Sequence, residues 1–420
     1  MNSGDTAFML ICTAFVFFMT PGLAFFYGGL VRRKNVCNTM MACVSIMGLS
    51  VVMWTLFGYS LAFGGNHGGI IGDLRWIGLN HVGMKPGPYA DTIPHLVFCA
   101  FQMMFAMITP ALITGSLVGR MKFKALFIFV AIWSVIVYYP MAHMVWGEGG
   151  LLAAMGSVDF AGGDVVHISS GVSALVLAII LGRRRGYEVT TYRIHNIPFV
   201  VLGASLLWFG WFGFNAGSSL KADGLAAHAF MTSAISAASA LLSWMLIDTV
   251  ISKKTTLVGA STGLVVGLVA ITPGAGFVPI WASFIIGALV SPICYFGVAL
   301  IKKKLKIDAF IREEKFEDVK AALNSIGVNG MTVSQVMGCG IQRGYKEVVR
   351  GMQVDMQMQP KIKFEIVVSS EEWEEKTINA IQEAAFTGET GDGKIFSYEI
   401  RTAQKIRTKE TGYDAIQATE

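Results

Sequence analysis

Charge is what this sequence has little of. Only 15% of its 420 residues are Asp, Glu, Lys or Arg, against roughly 25% in an average soluble protein. That shortage excludes a wholly soluble chain, because 54% of the residues are hydrophobic and most of them must meet lipid. Acidic residues are scarcest in the first part: residues 1–305 hold 9 of the 28 Asp and Glu, and residues 306–420 hold the other 19. The step divides a membrane domain from a soluble one. Cysteine provides no framework either. The six, Cys12, Cys37, Cys43, Cys99, Cys294 and Cys339, lack paired spacing, so neither a disulfide scaffold nor a zinc site is expected. The opening MNSGDTAFML lacks the basic start of a cleavable leader, and the first apolar run is expected to stay as a helix. No nucleophile–base pair or metal cluster stands out, so an enzyme is not expected. The net charge of +5 has a topological origin and does not imply nucleic acid.

What the sequence does have is long apolar runs. A bilayer core about 30 Å thick takes about 20 apolar residues per helix. Nine runs qualify, at about 7–31, 38–63, 93–118, 124–146, 160–181, 197–216, 225–251, 256–272 and 279–301; the eighth is short and rich in glycine. The connections VRRKN, GRMKFK, GRRRGYEVTTYR, SKK and IKKK hold 15 Lys and Arg. They alternate with GGNHGGIIGDLRW, WGEGG, NAGSSLKADG and TPGAGF, which with Lys85 hold 3. Short cytoplasmic loops collect Lys and Arg. The expectation is a multi-pass protein of the cell (inner) membrane, with its N-terminus outside and its tail in the cytoplasm.

From Leu305 the pattern becomes that of a soluble domain. IDAFI reads as a strand and REEKFEDVKAALNSIG as an amphipathic helix stopped by Gly327. MTVSQVMGC and PKIKFEIVVSS read as strands around a polar loop, EEWEEKTINAIQEAAF as a second helix, and IFSYEI as a last strand after the turn TGETGDGK. The order βαββαβ is the α+β ferredoxin-like motif, which by itself licenses no function. The domains are expected at 1–304 and 305–420.

One ionisable side chain stands inside a span. GGDVVHISSG puts His167 one or two turns into the fifth run, where ionisable groups are costly and usually functional. The alternative is a neutral imidazole bonded to Ser169 or Ser170 that fixes helix packing. Asp159 reads either as an N-cap or as a hydrogen-bond anchor at the outer end.

TPGLAFFYGGLVRRKNV, FQMMFAMITPALITGS, PMAHMVWGEGG, DFAGGDVVHISSGVSALV and WFGFNAGSS together resemble the ammonium transporter (Amt) family, in order and at family spacing, over residues 1–301. The resemblance implies a homotrimer in which each protomer has its own narrow apolar pore for ammonium or ammonia. It implies that Phe101, Trp146 and Ser218 form an outer ammonium site, with Asp159 behind it. Aromatic faces attract a small cation at about 2 kcal/mol when desolvated, and a hydroxyl gives ammonium an acceptor. Phe105 and Phe214 match the stacked gate below, for which ordinary core packing is the rival reading. His167 matches the first of two paired pore histidines. The family has eleven spans, with the second histidine on the tenth. Here the ninth run passes through KKKLK into IDAF, and no histidine follows His228. The inverted repeat is therefore incomplete, which is compatible with a naturally shortened chain, an engineered or misassembled one, or a protomer whose gap a neighbour closes.

The tail resembles the PII signal-transduction family over residues 306–414. The matching stretches are IDAFIREEKFEDVKAALNSIGVNGMTVSQV, CGIQRGYKEVVRG, PKIKFEIVV, TGETGDGKIF and KIRTKETGYDAI. That resemblance implies ATP or ADP, 2-oxoglutarate and magnesium as effectors. Gly340, Thr387, Gly388, Gly391, Gly393 and Lys394 match nucleotide-binding positions, joined by the basic pair Lys405 and Arg407; solvated loop residues are the rival reading. Gln342 and Lys361 match positions that hold 2-oxoglutarate through the nucleotide's magnesium. The loop 341–359 matches the pore-plugging loop, with Arg350 in the place of the arginine that enters the pore. Val354 stands where many bacterial relatives carry a modified tyrosine, and Ile341 replaces a basic residue. Two readings result: an ammonium channel gated by its own PII domain, or a non-conducting ammonium receptor that signals through it.

Overall fold

The computed structural model describes residues 1–182, 194–301, 305–328, 330–338, 345–349, 352–356, 358–368, 371–400 and 403–406. The chain divides into two compact units, the first reaching Tyr295 and the second beginning at Phe296.

Among the described residues of the first unit, nine helices are long and apolar enough to cross a bilayer. They are α1 (Ser3–Leu30), α2 (Arg33–Phe63), α3 (His95–Leu117), α4 (Phe123–Ala154), α5 (Gly163–Leu181), α6 (Ile197–Gly217), α7 (Gly224–Ile251), α8 (Leu257–Gly274) and α9 (Ile280–Val298). Their starts follow from capping chemistry, since the first N–H groups of a helix need acceptors. Asn2 accepts from Gly4 N–H at 2.8 Å, Asn196 from Phe199 N–H at 3.0 Å, Asp223 from Ala226 N–H at 3.0 Å and Thr256 from Gly259 N–H at 2.9 Å.

Helices α1 and α6 cross at the centre of the unit with their backbones almost touching. A Cβ on Gly203 would lie 2.3 Å from the Phe26 nitrogen, and one on Gly210 would lie 2.2 Å from Met19 Cγ. Small residues permit this approach, which gives membrane helices the dispersion contact that water would otherwise drive. Helix α3 is the most enclosed span, with 78% of its apolar window buried, whereas α5 has 22%. The outward face of α5 carries exposed Val172, Leu175, Ile179 and Ile180. Three spans contain a wide π-helical turn, at Trp54–Gly58, Ser134–Tyr138 and Gly163–Ile168. Such turns break the regular helical ladder and re-aim side chains.

The second unit contains the antiparallel sheet that the alternating sequence calls for. Its elements are β1 (Leu305–Arg312), α10 (Phe316–Ser325), β2 (Met331–Gly338), β3 (Tyr345–Val349), β4 (Met352–Met356), β5 (Gln359–Val368), α11 (Glu371–Ala385) and β6 (Gly393–Glu399). The four-stranded sheet runs β2-β5-β1-β6, with Ala309 opposite Phe364 and Ile395. Alternate residues Ile307, Ala309 and Ile311 face the two helices and pack with Val319, Leu323, Phe364 and Ile381. Gly393 is fixed by contact: φ is +127°, and a Cβ there would fall 1.8 Å from the Phe310 carbonyl oxygen. The polar loop expected between β2 and β5 contains a two-stranded ribbon, β3 with β4, paired from Tyr345–Met356 to Val349–Met352.

Candidate functional site

The site is assembled from the ends of four spans. Helix α3 carries Phe101 and Phe105 on one face, four residues apart, with ring centroids 4.9 Å apart. Phe105 lies 4.3 Å from Phe214 of α6, and its ring meets Trp146 of α4 edge-on at 5.7 Å. Phe101, Phe105 and Phe214 are buried to 1% exposure or less. Trp146 and Ser218 are half-buried. Ser218 follows Gly217, where a Cβ would sit 2.8 Å from the Phe101 ring, so the backbone just before Ser218 passes close to the phenyl. The Ser218 hydroxyl donates to the Phe214 carbonyl at 2.9 Å.

Asp159 adjoins this cluster through its main chain, because the Trp146 indole donates to the Asp159 carbonyl at 3.0 Å. Its carboxylate is taken up by backbone N–H groups. Oδ1 accepts from Gly162 and Gly163 N–H, both at 2.6 Å, and Oδ2 from Asp164 and Val165 N–H at 2.8 and 3.2 Å. The geometry is that of the capping alternative, and it opens the π-helical turn that carries His167. Burial raises the Asp159 carboxyl above the ordinary range, and the four backbone N–H bonds oppose the rise.

Below the phenyl pair, His167 stacks on Trp211 at 5.3 Å with planes 15° apart, and on Phe214 at 6.0 Å. The alternative reading, a bond from the ring to the Ser169 or Ser170 hydroxyl, does not hold. Ser169 donates to the Val165 carbonyl at 2.6 Å and Ser170 to the Val166 carbonyl at 2.6 Å, because a hydroxyl inside a helix reaches back four residues. Nε2 of His167 is buried and has no hydrogen-bond partner among the described residues. The ring borders a cavity of about 60 Å³ shared with Phe26, Tyr27, Leu207, Trp211 and Phe214. A cation held by aromatic faces at the top would lose that support in the apolar cavity, where a bare charge is costly. A small neutral hydrogen-bonding molecule would find the orphan imidazole nitrogen there.

Trp211 was not among the expected residues. It lies one turn before Phe214, and its indole donates to Thr272 of α8 at 2.9 Å. The Thr272 hydroxyl in turn donates to the Leu268 carbonyl at 2.7 Å. The only signal in the sequence was the spacing of WFGF, which puts both rings on one face.

In the second unit, Thr387, Gly388 and Gly391 lie in the turn before β6, and Gly393 and Lys394 are the first two residues of that strand. Gly388 and Gly391 have φ of +79° and +110°. Asp392 closes the turn: its carboxylate accepts from Thr387 N–H at 2.9 Å, Gly388 N–H at 3.1 Å and the Thr387 hydroxyl. Those bonds, the hydroxyl first, hold its carboxyl below the usual range. Arg312 Nε lies 3.2 Å from Asp392. Lys361 donates to the Gly391 carbonyl at 2.5 Å, and burial followed by the Arg312 charge lowers its pKa. Lys405 is described and half-buried. Gly340, Gln342, Arg350 and Arg407 lie outside the described residues.

Residues 7–311 match the model of the Ammonium Transporter Family, and residues 304–410 match that of the Nitrogen regulatory protein P-II. The Ammonium transporter of Bacillus subtilis (strain 168) is 50% identical over 308 residues, covering 73% of this chain and 75% of that protein. The crystal structure of Saccharomyces cerevisiae Mep2 superposes with a TM-score of 0.67 at 36% identity, over 71% of this chain and 69% of that one. A structure described as "Sensor Amt Protein" superposes with a TM-score of 0.66 at 27% identity, over 71% of this chain and 75% of that one.

Proposed function

The chain belongs to the ammonium transporter family and carries a P-II domain in the same polypeptide, and from that premise we propose that it is an ammonium channel gated by its own P-II domain. The observation that carries the reading is the unbroken sequence of rings from Phe101 through Phe105 and Phe214 to His167. In this reading Phe101, Trp146 and Ser218 collect ammonium from outside, and Asp159 holds Trp146 in place. Phe105 and Phe214 exclude hydrated ions, and desolvation below them favours loss of a proton from ammonium. His167 gives the resulting ammonia its hydrogen-bond partner. The working unit is a homotrimer in the inner membrane, with its N-terminus outside and its P-II domain in the cytoplasm.

ATP or ADP and 2-oxoglutarate are the proposed effectors of the gate. In this reading the turn before β6 takes the phosphates; the amides of Thr387 and Gly388 are engaged by Asp392. The phosphate contacts then fall to Gly391, Gly393 and Lys394, with Lys405 and Arg407 as the basic pair. Lys361 and Gln342 are the residues proposed to hold 2-oxoglutarate, and magnesium on the nucleotide supplies a charge that draws its oxygens. Arg350 is the residue proposed to enter the pore mouth. Joining plug and pore in one chain raises their effective concentration, which strengthens a weak contact about 10²–10⁴-fold.

A second reading, a non-conducting ammonium receptor that signals through the P-II domain, is favoured by the structural neighbour titled as a sensor. Ammonium-evoked currents in proteoliposomes on a solid-supported membrane separate the two. A saturable current altered by ATP and 2-oxoglutarate is expected of the channel. A folded protein that binds ammonium and gives no current under any condition is the receptor.

A further inference from the structure

We propose that Asn66 and His143 act together as positioning residues for Trp146, holding that wall of the outer site through the glycine turn behind it. The proposal rests on the reading of the outer cluster as an ammonium site. His143 is fully buried and lies on α4 three residues before Trp146. Its ring spans the gap from α4 to the end of α2 and the loop beyond. Nδ1 donates to the Ala62 carbonyl at 3.0 Å, and Nε2 faces Asn66 Oδ1 at 3.2 Å.

The Asn66 amide cannot be turned to suit the ring. Its Oδ1 accepts from Gly69 N–H at 2.6 Å, and its Nδ2 donates to the Gly149 carbonyl at 2.9 Å. Reversing the amide would set NH₂ against an N–H and oxygen against oxygen. Both imidazole nitrogens therefore face oxygen atoms; the neutral ring has one N–H, which it gives to the Ala62 carbonyl, and Nε2 rests 3.2 Å from Asn66 Oδ1.

Gly149 belongs to the turn Gly147–Gly150, which begins at the residue after Trp146. The turn fits around the bracket without slack. Gly149 has φ of +72°, and a Cβ there would fall 2.5 Å from Asn66 Nδ2; one on Gly150 would fall 2.4 Å from the His143 carbonyl oxygen. A second strut comes from Tyr89, whose hydroxyl accepts from Glu148 N–H at 3.2 Å and donates to the Phe63 carbonyl at 2.8 Å. The path Ala62–His143–Asn66–Gly149 thus sets where the regular helix within α4, Tyr139–Trp146, stops. That stop sets the angle at which Trp146 meets Phe105 and the Asp159 carbonyl.

Asn66→Asp tests this, because the side chain keeps its shape, its acceptor for Gly69 and its oxygen facing His143 but presents an oxygen to the Gly149 carbonyl. Tyr89 still ties down the turn, so the protein is expected to fold. The experiment measures ammonium-dependent thermal stabilisation of the full-length wild type, Asn66→Asp, His143→Gln and the double variant, with sodium chloride as control. Losing one neutral hydrogen bond, about 1 kcal/mol, raises the half-saturating ammonium concentration about fivefold. The maximal stabilisation should change less than that midpoint. The double variant should fall short of the product of the two single effects, because the residues form one bracket. A wild type that does not respond to ammonium overturns the parent reading. A responsive wild type whose variants keep its midpoint, or lose only overall stability, overturns the bracket.

Discussion

His167 and Trp211 lie face to face, 5.3 Å apart with planes 15° from parallel, and this stacking holds a ring whose Nε2 has no hydrogen-bond partner among the described residues. That nitrogen is buried, yet the ring is held on one side by an indole that Thr272 anchors. A buried polar atom without a partner costs about 1–3 kcal/mol. A residue kept only for packing would have no reason to carry it.

That cost makes His167→Phe a discriminating substitution. Phenylalanine keeps the stack on Trp211 and removes the orphan nitrogen, so the thermal midpoint is expected to hold or rise. Ammonium current in proteoliposomes is expected to fall about 100-fold or more if the imidazole handles a proton. A variant that conducts like the wild type would show the histidine to be filling.

Asp159 leads to a different expectation. Its carboxylate accepts four backbone N–H groups, and such charge-assisted bonds are worth about 1.5–3 kcal/mol each. Asparagine would aim its NH₂ at two of those donors. Asp159→Asn should therefore lower the melting temperature by several degrees in detergent. Ammonium binding should suffer with it, because the turn that presents His167 begins there. Unchanged melting with lost binding would instead point to direct contact between the carboxylate and ammonium.

How much of this was legible in the chain depended on how local the cause was. The nine spans follow from a length rule that lipid imposes on any apolar run, and the sheet from alternation in IDAFI and KIKFEIVV. Phe101, Phe105, Phe214 and His167 stood at motif positions, and the structure brings them together. Trp211 did not stand out, because its partner Thr272 is 61 residues away and an indole in an apolar helix has no pattern of its own. His143 was equally hidden, since its role depends on Asn66 across two loops. The β3–β4 ribbon was missed because polar side chains in YKEVV and MQVDM hide the strand alternation that their pairing uses.

Acid stability of the second unit should report on Glu365. Its Oε1 lies 2.8 Å from both Lys306 and Lys363, and those two ammonium groups, Lys306 first, hold the carboxyl down to about 2. A depressed carboxyl contributes stability that is present above its unfolded value of about 4.3. That contribution is lost as pH falls through the folded value. Pepsin cleavage of the sheet in the full-length protein, compared between wild type and Glu365→Gln, measures it. The variant should be cut faster near pH 5, and the ratio of rates should approach one toward pH 2. A ratio constant across that range would mean that the ion pairs stabilise nothing.

Asp392 should control nucleotide binding without touching the nucleotide. Its carboxylate draws the amides of Thr387 and Gly388 into a closed turn, and Arg312 holds it from β1 while donating to the Thr390 carbonyl at 3.1 Å. An alanine there would release both amides and leave Arg312 with one fewer partner. The turn then has to be ordered by the phosphates themselves, and that ordering is subtracted from the binding energy. Loss of two to three loop bonds at about 1 kcal/mol each predicts ATP affinity weakened by about 10²-fold on Asp392→Ala, by isothermal titration of the purified full-length protein. Arg312→Gln, which keeps the carboxylate on the amides, should cost less. If Asp392→Ala instead binds ATP more tightly, the carboxylate competes with phosphate for the Thr387 and Gly388 amides, and the turn as it stands is self-inhibited.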